Sequence, residues 1–163
     1  MKRLLILAPI GAACVWAMVV FVYRPLACNR TLNELRARTS AARETGNSYR
    51  AALLARQNLT DLRRLEDSCH TAVIVYVLEA ENFDILEQKE EALAAFRRAL
   101  TVDQRPELYF NIGTILVELG RMDEAVDNYV TAARLNRGTS IPSPEAEQRV
   151  RERLRQMSGT RAK

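Results

Sequence analysis

The sequence predicts an all-α chain in which one transmembrane helix precedes a stack of antiparallel helix pairs. Three observations carry this. Helix formers dominate, with only six Gly and five Pro in 163 residues. Residues 4–23 carry no charge. Downstream, one pattern of small and aromatic residues returns at a near-fixed interval.

Met1-Lys2-Arg3 forms a short basic head, and Leu4 to Tyr23 then runs twenty residues without a charge. At 1.5 Å per residue such a helix is about 30 Å long, the thickness of a bilayer's hydrocarbon core. Three fates fit the segment. An uncleaved signal anchor suits its length, because the apolar part of a cleaved signal spans about 7–15 residues. A cleaved signal peptide has a small residue available at Ala27, just before Cys28. Lipidation is the third, since Leu26-Ala27-Cys28 loosely resembles a bacterial lipidation site. The anchor reading keeps residues 1–3 in the cytoplasm and places everything after Arg24 outside it. The chain is then a single-pass protein of the cytoplasmic (inner) membrane, touching lipid through residues 4–23, with its soluble part extracytoplasmic or periplasmic.

Breakers divide the remainder into seven helices. The first is expected over Thr31–Glu44, with Leu32, Leu35 and Thr39 on one face, and Gly46 stops it. Asn47 or Ser48 caps the second, which runs to Glu66 with Leu53, Leu54, Leu62 and Leu65 apolar. The third spans Ser68–Leu86; its strand-like stretch Val73-Ile74-Val75-Tyr76-Val77 lacks flanking turn signals and reads as a buried helix face. Lys89–Val102 forms the fourth. Pro106 suits the opening turn of the fifth, Glu107–Leu119, and Gly120 ends it. Asp123 and Glu124 favour the positive start of the sixth, which ends near Leu135. Ser143-Pro144-Glu145 opens a basic seventh helix, 143–157, with Ala146, Val150, Leu154 and Met157 at helical spacing. That helix suits a cap on a repeat stack, and residues 158–163 are expected to fray.

Cys28 and Cys69 both fall at expected helix starts, two helices apart in an up-down arrangement, so they share one end of the bundle. Outside the cytoplasm a bridge between them is allowed. It would close a loop worth about 4 kcal/mol on the chain-entropy model. Cys14 lies within the apolar run.

Charge narrows the functional classes. Residues 68–136 hold six basic and twelve acidic side chains, so the best-formed part is negative and nucleic acid is not an expected partner. No nucleophile–base–acid set, phosphate-cradling loop or metal-ligand spacing is present, and His70, the single histidine, stands beside Cys69. Neither enzymatic activity nor a cofactor or metal is expected. Asn29-Arg30-Thr31 and Asn58-Leu59-Thr60 match the N-glycosylation pattern, which is frequent by chance.

The repeat is clearest at Tyr109-x2-Ile112-Gly113-x2-Leu116 followed by Ala125-x3-Tyr129-x2-Ala132. An earlier copy reads Tyr76-x2-Glu79-Ala80-x2-Phe83 followed by Ala92-x3-Phe96-x2-Ala99, 33 residues upstream. A faint third has Thr39 and Ala51, twelve apart as Ala80 and Ala92 are. Two helices of a hairpin approach most closely where both are small, and an aromatic one turn on is expected to fill the wedge beyond. With Leu119-Gly120-Arg121-Met122-Asp123-Glu124-Ala125 as its turn and Asn136 at its end, the unit 106–136 closely resembles the tetratricopeptide repeat family. Residues 73–105 match less fully, with Glu79 in place of Leu and Glu87 where Gly is usual. Within the repeat region, 28–136, residues 28–67 form a degenerate copy.

The resemblance implies a right-handed superhelix of about three helix pairs plus a capping helix. Its concave face, lined by the first helix of each pair, would hold a peptide or partner helix. Carried over, the groove candidates are Phe110, Asn111, Thr114, Val117 and Glu118, and in the preceding repeat Val77, Leu78, Glu81 and Asp84. The family's basic carboxylate clamp is absent at the matching positions. Glu81, Asp84 and Glu118 imply a partner surface with some positive charge. The expected function is a membrane-anchored scaffold or adaptor for other proteins on the extracytoplasmic side. The alternatives are a permanent accessory subunit of a multi-subunit membrane complex and a periplasmic assembly factor.

Overall fold

The structure is a computed structural model that describes residues 16–19, 24–66, 72–136, 138 and 140–160. Two compact units divide the chain, Met1–Thr71 and Ala72–Lys163. All elements described in either unit are helical.

In the first unit, α1 (Arg24–Glu44) and α2 (Ser48–Glu66) form a hairpin. Helix α1 starts seven residues before the expected Thr31, because a proline in the opening turn, here Pro25, costs no helical hydrogen bond. Asn47 Oδ1 accepts the Arg50 N–H at 2.9 Å and caps α2. Leu32, Leu35, Thr39 and Ala42 of α1 are buried, as are Ala55, Asn58, Leu59 and Leu62 of α2. Thr39 Oγ1 donates to the Leu35 carbonyl and accepts from Asn58 Nδ2 at 3.1 Å, which ties the two helices with a buried polar pair. The folded hairpin leaves no room for a glycan on the buried Asn58. Leu53, one of the apolar residues of α2, is 46% exposed. Cys28 is buried and disulfide-bonded, while Cys69, its expected partner, and His70 lie outside the described residues.

The second unit comprises α3 (Ala72–Ile85), α4 (Lys89–Val102), α5 (Pro106–Glu118), α6 (Met122–Leu135) and α7 (Pro144–Thr160). Among the described residues each helix packs on the next in sequence, most extensively within the α3/α4 and α5/α6 hairpins. One buried cluster runs through them, from Ala80, Ala92, Leu93, Phe96 and Ala99 through Leu108, Ile112, Leu116, Val126 and Tyr129 to Ala146 and Val150. The strand-like stretch of the sequence lies within α3.

Both hairpin turns close the same way. Gln88 N–H bonds Phe83 O and Glu87 N–H bonds Asp84 O; 33 residues on, Arg121 N–H bonds Leu116 O and Gly120 N–H bonds Val117 O. This paired pattern needs a left-handed residue just past the helix. Gly120 supplies it at φ 73°, and Glu87 adopts φ 58° where glycine would be unstrained.

Helix α7 lays Ala146 and Val150 into the cluster, with Leu154 partly buried beside them. Arg149 and Arg153 reach Asp123 and Asp127 of α6 at 3.2 and 3.5 Å. Ser143 Oγ accepts the Ala146 N–H and caps the helix. Met157, expected on the apolar face, is 41% exposed, and the helix continues to Thr160.

Among the described residues no helix is long and apolar enough to cross a membrane. The span expected over residues 4–23 lies outside the described residues except for 16–19, which are helical.

Candidate partner-binding face

The α5/α6 seam sets the geometry of the site. Tyr129 is fully buried, and its ring lies on Gly113: a Cβ added there would stand 2.8 Å from the ring's Cε1. The aromatic therefore sits on the small residue, not in a wedge beyond it, and this close approach is what requires glycine. Thr114 Oγ1 donates to the Phe110 carbonyl at 3.2 Å, which leaves it to accept the Tyr129 hydroxyl at 3.1 Å. Burial pushes the Tyr129 pKa up and the Glu118 carboxylate adds to it, so the phenol stays neutral. The Phe110 ring packs against Tyr129 at 5.7 Å between centroids, tilted by 59°. Phe110 is thus held by the hairpin core while part of its surface remains open.

Beside it a hollow of about 260 Å³ opens at the start of α5, lined by Pro106, Glu107, Phe110, Asn111, Asn136 and Ser140. That volume suits one side chain of a partner rather than a whole small ligand. Asn136 Oδ1 is engaged by the Gly138 N–H at 3.0 Å. Among the described residues the Asn111 side chain makes no hydrogen bond. Its amide, with two donors and an acceptor, is open beside an aromatic floor.

The carboxylates behave differently from expectation. Lys89, the first residue of α4, reaches Asp84 at 2.7 Å, Glu118 at 2.6 Å and Glu87 at 3.3 Å. Partial burial works against its charged form, but the hydrogen bonds to Asp84 and Glu118 outweigh that and raise its pKa above the usual lysine value. Lys89 therefore ties the end of α3 to the end of α5. Part of the negative charge expected to attract a basic partner at Asp84 and Glu118 is thereby offset from within the fold. Glu81 also has an interaction of its own.

The remaining candidates separate by burial. Leu78 is 1% exposed and has no surface to offer a partner, a correction to its place in the groove. The pattern that put it there counts register along the helix, and register alone does not say which neighbours cover a position. Val77 and Val117 are half-buried against the core. Thr114 is spent on Tyr129. Of the nine residues, the structure brings Phe110 and Asn111 together on one cavity.

Sequence reasoning noted Glu79 in place of Leu but missed its burial and its partner. Glu79 is 4% exposed and its carboxylate bonds Arg98 Nη2 at 2.6 Å; Arg98 in turn lies over the Tyr76 ring at 4.9 Å. The signal was present in the repeat alignment. Glu79 stands where the next repeat has Ile112, and Arg98 where it has Thr131, so the two departures occur as a facing pair.

The comparisons bear on the fold. A family model described as tetratricopeptide repeat matches residues 106–139. No curated protein matches the chain. Among solved structures, the crystal structure of a thermophilic tetratricopeptide-repeat protein of Thermus thermophilus is similar at a TM-score of 0.64 and 18% identity, covering 85% of this chain and 68% of that one. The chain therefore has an all-α, tetratricopeptide-like helical repeat fold, and its sequence carries the repeat most clearly over α5 and α6.

Proposed function

We propose that the protein is a membrane-anchored scaffold on the extracytoplasmic side, without catalysis of its own, that binds another protein through the hollow beside Phe110 and Asn111. Repeats of this kind generally mediate protein–protein interactions. The observation that carries the reading is the unengaged Asn111 amide next to the half-open Phe110 ring. A side chain seated on Phe110 would bring its own backbone within reach of that amide. The uncharged run 4–23 supports the anchor. The disulfide at Cys28 supports an oxidising compartment.

The test is photo-cross-linking in intact membranes, with a photoactivatable phenylalanine analogue at position 107, an exposed position on the lining of the hollow that leaves Phe110 and Asn111 in place. Ultraviolet-dependent adducts with one or a few proteins are expected, and the same label at exposed Gln104 should give none of them. Co-purification of the same protein without irradiation, in fixed stoichiometry through mild detergent and salt, identifies a permanent subunit rather than a recruited partner. Adducts with lipid alone, or none, contradict the proposal.

A further inference from the structure

The two units differ in how their charges are used. In the second, Arg98, Arg105, Arg121, Arg149, Arg151 and Arg153 are all in ion pairs with that unit's own carboxylates. In the first, residues 24–66 hold nine arginines against four acids. Among the described residues Arg36, Arg50, Arg56 and Arg63 take part in no ion pair, whereas Arg30 and Arg38 do. Among the described residues the second unit leaves only Arg134 and Arg155 outside ion pairs, so the described unmatched positive charge is denser on the first hairpin.

Two of these arginines belong to one stripe. Tyr49, Leu53, Arg56, Thr60 and Arg63 follow one another at spacings of three and four residues along α2, and all five are exposed. Tyr49 is 79% and Leu53 46% exposed, although both are large apolar side chains. The opposite side of α2, with Ala55, Leu59 and Leu62, is buried in the hairpin core. From Tyr49 to Arg63 the stripe spans about 21 Å at 1.5 Å per residue. An apolar pair at one end and two guanidinium groups two turns apart toward the other make a ridge with polarity along its length.

We propose that this outer face of α2 docks an acidic amphipathic helix of a partner protein, with carboxylates two turns apart on Arg56 and Arg63 and an apolar residue against Tyr49 and Leu53. Tyrosine and arginine carry most of the energy at such surfaces, and planar guanidinium groups pair carboxylates in two-pronged fashion. A lipid surface fits less well. Holding a helix on a bilayer takes a broad apolar face, and α2 has spent its own in the core. A second copy fits less well too, because most exposed acids of the second unit are taken by that unit's own Lys89 and arginines. This surface is separate from the hollow at Phe110 and stands or falls independently of it.

The test uses the full chain in mild detergent and a fluorescein-labelled helical peptide carrying two glutamates seven residues apart and two leucines one turn apart. Fluorescence anisotropy should show binding that weakens roughly tenfold in the Arg56→Glu/Arg63→Glu double variant, and several-fold in Tyr49→Ala. Added salt should weaken it, and Asn111→Ala should leave it unchanged. These substitutions lie on exposed positions, and thermal unfolding checks that the hairpin persists. No binding, or binding indifferent to the arginines, overturns the proposal. So does a chain that ignores the peptide but binds phosphatidylglycerol vesicles, and not phosphatidylcholine ones, through the same arginines.

Discussion

The α3/α4 and α5/α6 hairpins are two solutions to one packing problem. They share the residue spacing and the turn geometry, and both bury a small residue and an aromatic at matching positions, Ala80 and Phe96 in one, Gly113 and Tyr129 in the other. Inside, they diverge. At the positions of Ile112 and Ile115 in the second hairpin, the first buries Glu79 and Asn82. Asn82 Nδ2 bonds the Leu78 carbonyl at 2.7 Å within its own helix, and Glu79 is met by Arg98 from the facing one. A buried charge is tolerable only with a partner in place. The comparison shows that the repeat backbone accepts a polar interior when both members of the pair change together, and that an apolar seam is freer to place its polar groups at the surface, as Asn111 does.

The largest effect expected from breaking this comparison is at Arg98. Arg98→Ala removes the Arg98 ion pair from the buried Glu79 carboxylate and should cost about 3 kcal/mol, the low end for a broken buried pair because Arg98 is itself half exposed. The equivalent Thr131→Ala should cost no more than about 0.5 kcal/mol. Glu79→Leu should be near neutral, because an apolar residue replaces the buried charge and Arg98 can return to water. Urea unfolding of the full chain measures all three, and equal costs for Arg98→Ala and Thr131→Ala would remove the distinction.

Next in size is the seam. Gly113→Ala drives a methyl group into the Tyr129 ring and should cost about 2 kcal/mol. Adding Tyr129→Phe should not rescue it, since the clash is with ring carbons and not with the hydroxyl. Smallest are the turns. Glu87→Gly should stabilise by about 1 kcal/mol and Gly120→Ala destabilise by about the same, because both positions are left-handed. Melting temperatures should move in opposite directions; a shift of the same sign would mean the two turns are not equivalent.

Much of this was legible in the sequence. The bounds of α4 follow from its breakers, and the turn at Gly120 from its composition. Glu87 stood out as a departure from glycine, and the structure gives it the glycine conformation all the same. What could not be read was pairing between helices. Lys89 lies between Asp84 and Glu118, 29 residues from the latter in sequence, and nothing in local periodicity brings these three together. The early start of α1 was hidden because Pro25 reads as a boundary, although the opening turn of a helix accepts it. Leu78 entered the groove by analogy of register and left it by burial. Phe110 and Asn111 share the hollow because the α6–α7 connection, with Asn136 and Ser140, folds beside them.

The most direct measurement is affinity capture from detergent-solubilised membranes with the wild-type chain and Asn111→Ala side by side, their melting curves recorded in parallel. The account predicts matching stability and a protein partner retained by the first and lost by the second. Equal recovery of that partner by both chains would contradict it.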